Sequence, residues 1–184
     1  MLYYKKLPLP EDISIFWEKG SWILQGPLGI LKLSSLNHSE GFRIKFLTHP
    51  RNFQKFIFLM HEINDRRTQA SGQTLISLFS QKILGISHGF FLNLDIRGIG
   101  YRVSIEETRL TFKLGYSHEI FLQNSPNMRF FSPKSNILSI YSIKFQELTQ
   151  ICERIRQFKK IEPYKGKGIR FVGEQVPIKI GKKK

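Results

Sequence analysis

Between Glu162 and Phe171 the chain reads Glu-Pro-Tyr-Lys-Gly-Lys-Gly-Ile-Arg-Phe, and Gly181 is followed by Lys182, Lys183 and Lys184. Lys165 and Lys167 supply compact point charges. Gly166 and Gly168 between and after them let a backbone come close to a phosphate ribbon, and Tyr164 offers a flat face for stacking. The chemistry this pattern suits is the clamping of RNA phosphates, with no bond made or broken. Nucleotide loops are excluded. Gly166-Lys167-Gly168 lacks the leading glycine and the Lys-Ser/Thr pair of a P-loop, and Gly98-Ile99-Gly100 lacks the third glycine of a dinucleotide fingerprint.

The whole chain carries the same sign. Lys and Arg number 29 against 14 Asp and Glu, a net charge of +15 in 184 residues. Self-repulsion on that scale is relieved by a polyanion, which places nucleic acid ahead of an anionic membrane surface as partner. No stretch of about 18 apolar residues is present to span a bilayer, and no membrane partner is expected. The five histidines show no i,i+4 pair and the lone Cys152 rules out both a disulfide framework and a cysteine zinc site. Neither a metal nor a cofactor is therefore expected. Glu106 and Glu107 are adjacent, so they face apart on a strand or sit in a turn, which is not the geometry of a catalytic carboxylate pair. Catalytic residues are expected to be absent.

Ala70 is the only alanine, while Ile, Phe and Lys abound, as in the product of an AT-rich gene. With no apolar signal core and no Arg- and Ser-rich leader at the start of the sequence, the reading is an organelle-encoded protein, mitochondrial before plastid or bacterial. Asn37-His38-Ser39 matches a glycosylation triplet by accident on this reading.

The elements that must hold the basic segment can be read from periodicity. Asp12 to Trp17 and Ser21 to Gln25 alternate around Lys19-Gly20 as a hairpin, and Gly26-Pro27-Leu28-Gly29 turns into strands at Ile30–Leu33 and Phe42–Phe46. Phe53 to Ile63 is ambiguous and is taken as another strand. From Asp65 to Ile86 a stripe of Leu75, Leu78, Phe79, Ile83 and Ile86 predicts a helix. The second half repeats the plan, with strands at Phe90–Ile96, Tyr101–Ile105, Arg109–Leu114, Glu119–Leu122 and Ile137–Tyr141. A helix follows to Phe158, with Ser142 as its cap and Leu148, Ile151, Cys152 and Ile155 on its buried face. Superposing Leu24-Gln25-Gly26 on Lys113-Leu114-Gly115 offsets the halves by about 90 residues, roughly half the chain. The expected fold class is α+β, in two duplicated domains, 1–88 and 89–184, each an antiparallel sheet packed on one main helix.

In their order and spacing, Gly98-Ile99-Gly100-Tyr101-Arg102, Leu114-Gly115-Tyr116-Ser117-His118 and Glu162-Pro163-Tyr164-Lys165-Gly166-Lys167-Gly168-Ile169-Arg170 resemble the large-subunit ribosomal protein L-six family. Gln25 to Gly29, Gly85 to Phe90 and the Gly181–Lys184 tail extend the resemblance nearly end to end. The sequence departs from it at Leu28, where the family's turn is basic, at Lys160-Ile161, where the family has two prolines, and over the Phe-rich span 37–67. That span either meets a partner protein or fills the first core.

The resemblance implies a structural, non-enzymatic constituent of the large subunit. It would bind rRNA near the sarcin-ricin loop and the factor-binding side, beside neighbouring large-subunit ribosomal proteins, with translational GTPases as transient partners. Its rRNA-contacting set would be Arg97, Arg102, Tyr116, Ser117, His118, Lys159, Lys160, Tyr164, Lys165, Gly166, Lys167, Gly168 and Arg170, together with Lys182, Lys183 and Lys184. The second domain would carry most of the binding. A free RNA-binding module acting off the ribosome is the rival reading, and it lacks the aromatic RNP signature of an RRM. A nuclease would need clustered carboxylates for metal, and none are found.

Overall fold

A computed structural model describes residues 3–34, 42–48, 55–62 and 65–181. The chain divides into two compact units, Met1–Gly89 and Phe90–Lys184. In the first, the strands are β1 (Tyr3–Leu9), β2 (Ser14–Glu18), β3 (Ser21–Gly26), β4 (Gly29–Ser34), β5 (Arg43–Thr48) and β6 (Lys55–His61), followed by helix α1 (Arg66–Ser87). In the second they are β7 (Phe90–Arg97), β8 (Arg102–Ile105), β9 (Arg109–Lys113), β10 (Ile120–Gln123), β11 (Met128–Lys134) and β12 (Ile137–Ser142). Helix α2 (Phe145–Phe158) and β13 (Gly168–Phe171) complete it.

The duplication is explicit in the pairing. The first unit holds antiparallel sheets ordered β1-β6-β5 and β2-β3-β4, and the second holds β7-β12-β11 and β8-β9-β10 in the same succession, with β13 added on the free side of β7. Each unit is thus built from two small sheets and one helix, where the sequence suggested a single sheet. The β2–β3 hairpin closes on Lys19 and Gly20, both with positive φ (47° and 75°), the backbone twist that a two-residue turn between right-twisted strands requires.

Both helices bury one stripe. In α1 the buried residues are Gly72, Leu75, Phe79, Ile83, Gly85 and Ile86, and in α2 they are Leu148, Cys152 and Ile155. Leu148, Cys152 and Ile155 join Leu94, Ile96, Leu138, Ile140 and Ile169 in the second core, so α2 lies on β7, β12 and β13. Burial of this kind, at about 25 cal/mol per Å² of apolar surface, is the main stabilising term. Burial also pushes the Cys152 thiol up to about 12, chiefly by desolvation.

Ser142 does not cap α2. The helix starts at Phe145 with Lys144 as its N-cap residue, so Ser142 remains the buried last residue of β12. Its hydroxyl donates to the Asn127 carbonyl and accepts the Lys144 N–H, each at 3.1 Å. Of the Phe-rich span 37–67, the strands β5 and β6 are described; Asn37, His38 and Ser39 lie outside the described residues.

Candidate nucleic-acid interface

The basic segment forms a pinned hairpin-like loop between α2 and β13. Its stem is held by the Ile169 N–H donating to the Lys159 carbonyl (3.0 Å) and the Glu162 N–H donating to the Lys167 carbonyl (2.8 Å). The tip closes through the Gly166 N–H onto the Glu162 carbonyl (2.9 Å), and the Lys179 N–H ties the following segment to the Pro163 carbonyl (2.9 Å). A loop fixed at four points presents its side chains with little ordering entropy left to lose on binding.

The two glycines serve the loop in different ways. Gly166 has φ +65° and open space where a Cβ would be, so it serves the left-handed turn. Gly168 has φ +139°, and a Cβ there would lie 2.7 Å from Ile161 Cα and 2.8 Å from the Lys160 carbonyl oxygen. Its missing side chain admits the opposite arm of its own loop.

The cations sort in the same way. Arg170 faces Asp95 across the β13–β7 pair, its Nε 3.3 Å from Asp95 Oδ2, with both side chains largely buried. Arg97, two residues along β7, reaches the same oxygen at 2.8 Å but remains 56% exposed. Asp95 thus gathers both arginines, and Arg170 is turned inward onto it, within the fold. Among the described residues no carboxylate pairs with Arg102, Lys160, Lys165 or Lys167. Lys160, Tyr164 and Lys165 are exposed and Lys167 is half-buried.

Beside the loop stem, the turn after β9 meets the end of α2. The Tyr116 hydroxyl donates to the Phe158 carbonyl (3.2 Å), satisfying one of the acceptors that a helix C-terminus leaves open. Lys159 Nζ sits 4.2 Å from the centre of the Tyr116 ring, and the His118 ring lies nearly parallel to it at 6.2 Å. Tyr116, Ser117 and His118 are exposed. The same turn is locked from the other side by Tyr101, whose ring occupies the place of a Gly98 Cβ and lies 3.0 Å from that of Gly115. The glycines at 98 and 115 therefore make room for one tyrosine, which joins two of the three family-like motifs.

The structure thus brings together Tyr116, His118 and Lys159, and places Lys160 to Arg170 on one loop with Arg97 opposite Gly168. Arg102 heads β8 in the other sheet, with no contact to this cluster among those described. Lys182, Lys183 and Lys184 lie outside the described residues. Asp95, Tyr101 and the Phe158 carbonyl were not anticipated. Asp95 left a trace in the sequence as the one carboxylate in the run Phe-Phe-Leu-Asn-Leu-Asp-Ile, and Tyr101 stood in the Gly98–Arg102 motif without its role being readable. Glu106, held low by its hydrogen bond from Arg109, sits at a turn with Glu107, and no cluster of His, Cys, Asp and Glu able to hold a metal occurs among the described residues.

The family model described as ribosomal protein L6 matches residues 97–172, the span from Arg97 through the pinned loop to β13. The large ribosomal subunit protein uL6 of Ligilactobacillus salivarius (strain UCC118) is 32% identical over 179 residues, covering 97% of this chain and 96% of the relative. With that identity over almost its full length, the chain belongs to the ribosomal protein L6 family, whose members are structural proteins of the ribosome and not enzymes.

Proposed function

We propose that the second unit anchors this protein to large-subunit rRNA through the 159–169 loop and the adjoining Tyr116–His118 turn, near the sarcin-ricin loop and the factor-binding region. The observation that carries this reading is the loop itself: Lys160, Lys165 and Lys167 stand without carboxylate partners among the described residues on a backbone fixed by four hydrogen bonds. Phosphates supply the missing charge, and a rigid display fits one arrangement of rRNA helices better than others. Lys159 and Tyr116 are already stacked on each other and extend the surface with a charge and a ring.

Bound in this way, the protein holds rRNA segments and neighbouring large-subunit proteins in fixed relation and helps shape the surface where translational GTPases land. For the compartment we propose an organelle, the mitochondrion before the plastid, supported by the single alanine and the Ile-, Phe- and Lys-rich composition. The test is sedimentation of the native protein with large subunits from purified organelles. Co-migration that survives washing at moderate salt supports both readings, and recovery only in the unbound fraction overturns them.

A further inference from the structure

The first unit carries a second aromatic and basic surface, on the outer face of the β1-β6-β5 sheet. Alternation fixes which residues stand there. Ile57 and Leu59 of β6 are 3% and 2% exposed and face the core, so Phe56 and Phe58 point the other way, both half-exposed. In register, Phe58 lies between Lys6 of β1 and Lys45 of β5, both exposed, and the row beyond holds Tyr4 and Arg43, with Tyr4 72% exposed. Lys6 Nζ rests 3.7 Å from the centre of the Phe56 ring, and the two phenylalanine rings are 6.4 Å apart at 67°. No Asp or Glu occurs on any of the three strands. Glu62, just past β6, pairs with Arg43 at 2.7 Å.

We infer that this face binds unpaired RNA, with bases stacking on Phe56, Phe58 and Tyr4 and phosphates meeting Lys6 and Lys45. Rings supply sequence-tolerant stacking and flanking lysines supply backbone charge, the combination that single-stranded nucleic acid requires. Lys6 guards the Phe56 ring in the free protein, and an exposed cation–π contact is weak enough for a base to displace it. A protein partner is the less favoured occupant, because a face with two unpaired lysines and no acidic strand residue asks for a polyanion. This face belongs to the first unit, whereas the 159–169 loop belongs to the second.

The experiment uses the full chain with an octamer of oligouridine bearing 4-thiouridine, crosslinked by long-wavelength light and mapped by mass spectrometry. Crosslinks are expected on Tyr4, Phe56 or Phe58. In Phe56→Leu/Phe58→Leu their yield should fall at least about tenfold while any crosslinks within 159–169 stay constant. Lys6→Ala/Lys45→Ala, which leaves the core untouched, should lower the same yield and flatten its salt dependence. Crosslinks confined to residues 90–184, yields unchanged in both double variants, or a ribosomal protein crosslinked to this face in intact subunits would each overturn the inference. Loss of the 159–169 crosslinks alone would instead count against the proposed rRNA site.

Discussion

Replacing Gly168 by alanine separates a glycine that packs from one that merely turns. At φ +139° an L-residue pays strain of about 1–3 kcal/mol, and the new methyl, 2.7 Å from Ile161 Cα and 2.8 Å from the Lys160 carbonyl oxygen, adds an overpacking term of about 1–3 kcal/mol. The atoms it meets are backbone, which cannot swing aside as a flexible side chain would. Gly168→Ala should therefore destabilise the loop and β13 by about 2–6 kcal/mol. Gly166→Ala, with open space around its Cβ and φ +65°, should lose only about 1–2 kcal/mol. Amide hydrogen exchange of the full chain reads this locally, because the Ile169 and Glu162 N–H groups close the stem. Their protection should drop much further in Gly168→Ala than in Gly166→Ala. Equal losses, or a larger one in Gly166→Ala, would refute the assignment of Gly168 to chain-on-chain packing.

Three further outcomes follow from single contacts. Arg170→Ala removes one of the two guanidiniums from largely buried Asp95 and should lower the stability of the second unit by about 1–3 kcal/mol in urea unfolding, while lowering the salt slope of RNA binding less than either Lys165→Ala or Lys167→Ala, since the Arg170 side chain is largely buried against Asp95. Tyr116→Phe keeps the ring under Lys159 and deletes the hydroxyl on the Phe158 carbonyl; a loss of about 1 kcal/mol is expected, with RNA affinity nearly preserved. The Cys152 thiol should resist a thiol reagent until the protein is unfolded. Its folded-state value of about 12 lies above the ordinary 9, so the unfolded chain ionises first and stability should fall as pH rises from about 9 towards 12, a slope absent from Cys152→Ala in matched melts.

What the sequence revealed was whatever a short window contains. Helix α1 announced itself through Leu75, Phe79, Ile83 and Ile86, and the β2–β3 hairpin through Lys19-Gly20 between alternating runs, because periodicity and turn chemistry act over a few residues. Strand β1 was missed: Tyr-Tyr-Lys-Lys-Leu-Pro-Leu does not alternate, and its partner β6 lies some fifty residues on, where Lys5 pairs with Leu59. Strand β11 was missed because Pro133 and two serine-flanked breaks disguise an edge strand, whose pairing shifts between Phe131 and Lys134.

The candidate site was legible as composition but not as roles. Lysines between glycines marked the loop, yet that Arg170 turns to Asp95 depends on the β13–β7 register, 75 residues apart in sequence. That Gly168 makes room for Ile161 likewise depends on how the stem closes, which no local pattern encodes. Tyr101, whose ring fills the space beside Gly98 and Gly115, ties together two motifs that the sequence offered only as separate turns.

The central claim is that the 159–169 loop meets rRNA phosphates, and counterion release measures it most directly. Affinity of the full chain for a large-subunit rRNA fragment should be titrated across roughly 50–200 mM salt, for the native sequence and for Lys165→Ala/Lys167→Ala. The account predicts a linear fall of log affinity with log salt in the native protein. In the double variant it predicts a slope shallower by about two and a loss of about 1–3 kcal/mol at moderate salt, with the fold intact. Identical slopes and affinities for the two proteins would contradict it.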